Sequence, residues 1–443
     1  MKKLLIMGLF AFLALQACKK DQDLIDGKRP EDRVAADLEK YRNELVNSPN
    51  GWVAYLSTTL VGGGYNFYMS FDKENRVTMR ADYNSDIALE SVQSTYRIKQ
   101  VMAPSLIFDT YNLLHQLQDP DPDSFAGDNA VGYGSDFEFE IREQVGDTIK
   151  LIGKKRNAPL ILVKATADQK AFYTSDKFSE NIDGITNYLI DHPFTYILDP
   201  KDNSRRIQVS ISTNVRSRSF SLISVTGAEI TTNSGIFSFS DGGVRLNNPI
   251  KNGDEVYTHI NWDATAQKLY LVSANGNKTE ILISATPILP LDLLLGSVYS
   301  AIKVPFATTY PGWSSNFVSR RAAAANAILT GPYRLRLDEM QFLFNTKANT
   351  LTLNAAVYQG TVGFLAVYSY TYVKAADGSF KFTYIGANGN GSLMIPGMDP
   401  LLTQRINTDR FKLQYFVNSN TGEILGQFVS VDNPDFSFSG ELE

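Results

Sequence analysis

Val34, Leu38, Tyr41 and Leu45 recur at intervals of four, three and four, the spacing of one helix face. Pro30 lacks an N–H that a first helical turn leaves unused, Glu31 and Asp32 stand at the positive end of the dipole, and Ser48-Pro49-Asn50-Gly51 is a stop signal. An amphipathic helix over 31–47, its stripe turned to the core, is predicted.

After Gly51-Trp52 the period changes to two. Tyr65, Phe67, Met69 and Phe71 share one face, and Val77 and Met79 resume beyond Asp72-Lys73-Glu74-Asn75, which predicts a hairpin. Further strands are predicted at 135–142, 148–152 and 160–165, the last an apolar run suited to burial on both sides. A short helix over 177–190 opens a second set of strands at 207–212, 220–225, 236–239, 256–262 and 268–272. The Pro-rich crossing 287–290 opens a third set, with a helix at 315–328 and strands at 341–344, 351–353, 362–373, 380–385, 411–417 and 424–431. The reading is a mainly β, multi-domain chain of antiparallel sheets, sandwich or barrel-like, with an N-terminal amphipathic helix and a few short helices. Its expected divisions are 31–167, 168–286 and 287–443. Phe67-Tyr-Met-Ser-Phe with Arg76-Val-Thr-Met, and Gln341-Phe-Leu-Phe with Thr350-Leu-Thr-Leu, share one layout after a helix, which raises the idea of a repeat.

Composition narrows the class. Hydrophobic residues make up 43% of 443 and the net charge is only -5, so the chain can bury cores and lacks the basic footprint of a nucleic-acid binder. Lys2-Lys3 and the apolar run from Leu4 to Leu15 read as a secretory signal at 1–17, too short for the about 20 apolar residues of a membrane span. Leu15-Gln16-Ala17-Cys18 resembles a bacterial lipobox, and Cys18 is the one cysteine of the chain. Lipidation there predicts a membrane anchor followed by a tether over 18–30 with Lys19-Lys20-Asp21-Gln22-Asp23, and it leaves no thiol for a disulfide or a nucleophile. Such a tract is similar to those that send lipoproteins to the outer face of an outer membrane.

The N-terminal third carries a longer resemblance. Asn50-Gly51-Trp52, Gly63-Gly64-Tyr65-Asn66-Phe67, Arg76-Val77-Thr78-Met79, Ser94-Thr95-Tyr96-Arg97-Ile98 and Pro104-Ser105-Leu106-Ile107-Phe108-Asp109-Thr110-Tyr111 follow in order. His115, Asp119-Pro120-Asp121-Pro122, Ser135-Asp136-Phe137-Glu138-Phe139 and Gly153-Lys154-Lys155 continue the series. Over roughly 30–165 this resembles an uncharacterised family of Bacteroidota surface lipoproteins, a domain of unknown function. The resemblance implies genes beside SusC/SusD-like uptake systems and zinc-dependent peptidases, and it carries no catalytic residues.

Candidate chemistry is sparse. His115, His192 and His259 include no HExxH pair, and no Gly-x-Ser-x-Gly elbow, Walker loop or dinucleotide fingerprint occurs. Glu138 and Glu140 share a strand face that reads as solvated. Asp119, Asp121 and Asp123 form the densest acidic loop; alternate carboxylates suit calcium if the chain curves, whereas Pro120 and Pro122 favour an extended backbone, so a calcium site and a rigid loop are both open. Trp313, between Pro311-Gly312 and Ser314-Ser315, sits where an exposed ring could meet a ligand. The expected function is a non-catalytic accessory of glycan or peptide uptake on the outer membrane, partnered by a SusC/SusD-like complex. A carboxylate-dependent hydrolase and an adhesin or structural subunit are the alternatives.

Overall fold

The computed structural model describes residues 29–443 apart from 61–62, 227–228 and 297. The chain is mainly β, as its periodicity required, with three antiparallel sets of eight strands. The first set is β1 (Trp52–Ser57), β2 (Gly64–Phe71), β3 (Arg76–Ala81), β4 (Val92–Gln100), β5 (Pro104–Phe108), β6 (Glu138–Val145), β7 (Thr148–Gly153) and β8 (Pro159–Lys164). Each pairs with the next, and β1 returns to β8 with Trp52 opposite Lys164 and Leu56 opposite Leu160, closing a barrel.

The second set is β9 (Thr195–Asp199), β10 (Asp202–Ser212), β11 (Ser219–Thr226), β12 (Glu229–Ser240), β13 (Gly243–Asn252), β14 (Glu255–Asp263), β15 (Lys268–Ser273) and β16 (Lys278–Ile283). Here β9 pairs with both β10 and β16. The third is β17 (Ala301–Val304), β18 (Arg336–Asn345), β19 (Thr350–Gln359), β20 (Val362–Lys374), β21 (Phe380–Ala387), β22 (Arg410–Val417), β23 (Ile424–Ser430) and β24 (Ser437–Leu442). It closes where Ile302 of β17 lies opposite Leu442 of β24. Chain contacts divide the molecule into two compact units, one running to Pro193 with Ser210–Leu222 and Asn233–Ile281, the other Phe194–Val209, Ile223–Thr232 and Leu282–Glu443.

The α-helices among the described residues are α1 (Pro30–Val46), α2 (Ser85–Leu89), α3 (Leu113–Gln116), α4 (Pro122–Phe125), α5 (Ala167–Tyr173), α6 (Lys177–Asp191), α7 (Leu291–Leu294), α8 (Ser315–Thr330) and α9 (Gly389–Met398), and a π-helical turn follows at Leu402–Ile406. The predicted stripe of α1 is uneven in effect. Leu45 is buried, whereas Val34, Leu38 and Tyr41 are half-exposed. The helix is pinned at its C-terminal end, where the indole Nε1 of Trp52 donates to the Leu45 carbonyl at 3.1 Å and Glu44 pairs with Lys164. Leu45→Ala is therefore expected to cost about 2–5 kcal/mol in urea unfolding, and Leu38→Ala clearly less. Equal losses would mean that the stripe is buried along its whole length.

Two expectations of burial change places. The run in β8 alternates, with Leu160 and Leu162 inside and Ile161 and Val163 half-exposed, because its outer face is only partly covered. β2 is buried on both faces from Gly64 to Met69. Its outward Asn66 donates at 2.7 Å to the Tyr173 hydroxyl and to the Phe239 carbonyl, and Tyr68 stacks on Tyr173. The two similar hairpins occupy equal places, β2–β3 and β18–β19 being the second and third strands of their closed barrels.

Candidate functional site

Trp313 stands on a turn that only glycine suits. Gly312 has φ +82°, and a Cβ there would meet the Ser439 hydroxyl at 2.8 Å and the Phe416 ring at 3.0 Å. The ring is not the exposed platform expected of it. It is half-buried, its Nε1 donates to the Ser439 carbonyl at 2.9 Å, and it lies edge-on to Phe317 with centroids 4.9 Å apart. The wedge Trp313 forms holds the start of α8 against β24, a packing role that its flanking turn residues did not reveal.

From that wedge α8 runs as a helix with two working faces. The Ser314 hydroxyl caps it by accepting from the Phe317 N–H at 3.2 Å. Phe317, Arg321, Ala324 and Ile328 are buried along one face. Val318, Ala322, Ala325 and Leu329, also at helical spacing, leave the neighbouring face low because two of the four are alanine. Phe306 and the segment after it form the opposite wall, giving an open cleft of about 570 Å³ floored by Leu337.

Arg321 fixes the two walls together. Its guanidinium donates to the carbonyls of Ala307 at 3.0 Å, Asp338 at 2.7 Å and Pro305 at 3.4 Å, and lies over the Trp313 ring. Burial lowers its pKa, Asp338 opposing. At the rim, Arg336 lies between the Phe306 and Tyr358 rings, 4.8 and 5.2 Å from their centroids, and pairs with Asp338 at 2.9 Å. Phe306 and Leu329 are about half exposed. A smaller cleft of about 220 Å³, lined among others by Tyr333, Phe364 and Leu393, opens beyond Leu335. The larger lining carries neither a carboxylate nor an imidazole, so its chemistry is apolar contact with a few hydrogen bonds from Thr308, Thr309 and Asn326. The sequence signal that could have found it is the Ala run at 322–325 beside Arg320-Arg321.

The acidic loop is organised by its own backbone. The Asp119 carboxylate accepts from the Tyr111 hydroxyl at 2.6 Å and from the Asp121 N–H at 3.0 Å, and Asp121 accepts from the Asp123 N–H as the cap of α4. The phenol bond lowers the Asp119 pKa, while burial and that same bond push Tyr111 up to about 12. Among the described residues no group of three His, Cys, Asp or Glu converges as a metal site. His115 is half-buried, stacked on Phe137 with Nδ1 at 3.0 Å from the Asn112 side chain, and its burial lowers its pKa. Glu138 and Glu140 pair with Lys154 and Arg142. Cys18 lies outside the described residues.

One polar group inside the first unit went unread in the sequence. Arg218 and Asp82, both wholly buried, form an ion pair at 2.8 Å. Arg218 also donates to the carbonyls of Asp82, Tyr83 and Gly64 and lies over the Phe239 and Tyr65 rings, while Asp82 accepts from the Phe239 N–H at 2.9 Å. Burial raises the Asp82 pKa against the pull of Arg218. Enclosed on every side, the pair joins β2 and β3 to the strand that carries Phe239.

Residues 24–264 match the profile of a family described as a domain of unknown function, DUF4302. The C-terminal cleft lies beyond the matched residues. No curated protein matches the chain.

Proposed function

The chain belongs to the DUF4302 family, and from its N-terminal sequence and its C-terminal cleft we propose a lipid-anchored, surface-exposed outer-membrane protein that binds peptide nutrient without cleaving it. The lipobox-like stretch ending at Cys18 supports the anchor. A SusC/SusD-like uptake complex is the partner such an anchored binding protein would serve.

The observation that carries the binding role is the lining of the larger cleft. Val318, Ala322, Ala325, Leu329, Leu337 and Phe306 offer a trough to apolar side chains, with Arg336 and Asn326 able to meet backbone carbonyls. A sugar would bury hydroxyls against alanine and leucine, each costing free energy unless hydrogen-bonded. Peptide is therefore the better-matched ligand of the two nutrient classes.

Calorimetric titration with apolar and with polar peptides tests the reading. The full chain is expected to bind the apolar set weakly and to leave it intact. Ala322→Trp, at an exposed position on the cleft wall, should abolish binding with little effect on melting. Unchanged affinity in that variant, or cleavage of the peptide by the parent protein, would overturn the proposal.

A further inference from the structure

The first barrel bares apolar side chains at both ends, Leu60, Leu89 and Tyr111 following odd-numbered strands, but the most exposed of all, Met102, stands at the other end. In an up-and-down ring the turns after even-numbered strands open at one end, here those near Lys73, Met102 and Gly146. At that end Met102 is 91% exposed, and Val101 beside it and Val145 at the next turn are more than half exposed or close to it. Turn tips in water usually carry polar residues or glycine, whereas this one offers an adjacent valine and methionine to an apolar partner.

The same end holds α1. Arg42 donates to the Lys73 carbonyl at 2.8 Å, Glu44 pairs with Lys164, and Lys164 reaches Asp147 beyond the β6 turn. Toward its start, Ala35 and Leu38 of α1 line a groove with Ile98 and Lys99, at the base of the tip that carries Met102. The helix thus points its N-terminus along the protruding β4–β5 hairpin, and the chain leading back to Cys18 departs from there. Fully extended, Cys18 to Arg29 spans at most about 40 Å. An anchor at Cys18 therefore keeps this end close to the bilayer.

We propose that the β4–β5 tip, through Val101 and Met102, inserts into the interfacial region of the membrane that holds the lipid anchor, with Lys99 beside it at the headgroup phosphates. This rests on the anchoring at Cys18 proposed above. Two side chains would hold a free protein only marginally at a membrane, but the tether makes their insertion intramolecular, with a high effective concentration. The tip then sets which end of the barrel faces lipid.

With Cys18 acylated, a cysteine introduced at Met102 is the one free thiol of the chain. The full, acylated chain carrying Met102→Cys, labelled with an environment-sensitive dye, is incorporated into phosphatidylethanolamine–phosphatidylglycerol vesicles containing nitroxide-labelled phospholipid. The expected result is a blue shift and several-fold quenching at this position. The same label at Lys155→Cys, in a turn at the opposite end of the ring, should stay in water. Acylated, vesicle-bound protein whose label at position 102 remains unquenched overturns the insertion alone. An intact mass without acyl chains overturns the anchor and the insertion with it.

Discussion

Arg218→Met is expected to destabilise the first unit by about 3–5 kcal/mol, because it leaves Asp82 as an uncompensated charge in a fully buried site. Three backbone carbonyls lose their donor in the same step. The loss has a defined pH dependence. Burial already raises the Asp82 pKa in the folded chain, and removing Arg218 raises it further. A raised folded pKa favours the protonated folded state, so the deficit is smallest below the unfolded carboxyl value of about 3.9 and grows as pH rises through the folded pKa. Urea unfolding of parent and variant in mild acid and at neutral pH measures this. Adding Asp82→Asn to Arg218→Met removes the stranded charge while keeping an acceptor for the Phe239 N–H, and should restore part of the loss. A deficit below about 1 kcal/mol, equal at both pH values, would mean that water reaches the site and the pair is not enclosed.

Phe428→Ala should cost about 3–5 kcal/mol in the second unit, by opening a cavity where several rings meet. Phe428 is fully buried, stacks on Phe438 at 4.7 Å with planes 10° apart, and touches Phe342 and Phe411 at 4.8 and 5.9 Å. Most of its neighbours are rigid rings that cannot move in to fill the space, Leu413 across the strand pair being the flexible exception. Val429, the next residue, points outward and is half-buried, so Val429→Ala is the control and should lose about 1 kcal/mol or less. Similar midpoints for the two variants would show that the barrel interior repacks around the lost ring.

The elements that the sequence made legible are those whose pattern is local. The α1 period, the 65–79 hairpin and the α8 run all appear where they were expected, to within a few residues. The strands that escaped include those that finish the sheets: β9 and β16, and β17 with β24, are four to six residues long and take their order from partners far away in the chain. A run such as Ala301-Ile-Lys-Val is too short for a period to declare itself. α9 was hidden by Pro396 and by its glycines, and it is held instead by an Asn388 cap that accepts from the Gly391 N–H at 2.7 Å. The cleft was illegible for a related reason. Its walls come from α8, the Phe306 segment and β18, and only the fold brings these together. Arg218 gave no signal at all, since a single arginine between serines looks like any surface cation until Asp82 is placed against it.

The seam between β17 and β24 also dictates when the third barrel can exist. As the chain is synthesised, β17 emerges early and waits through some 130 residues for Ser437–Leu442 to arrive. Until then both rims of the growing sheet carry unpaired N–H and carbonyl groups, the surfaces on which strands of other molecules add. Nothing nucleated locally can shorten that delay, because the last contact is also the one that removes the rims. Slowing the chain just before Ser437 should therefore promote aggregation, whereas slowing it ahead of Ala301, before the third sheet has begun, should not.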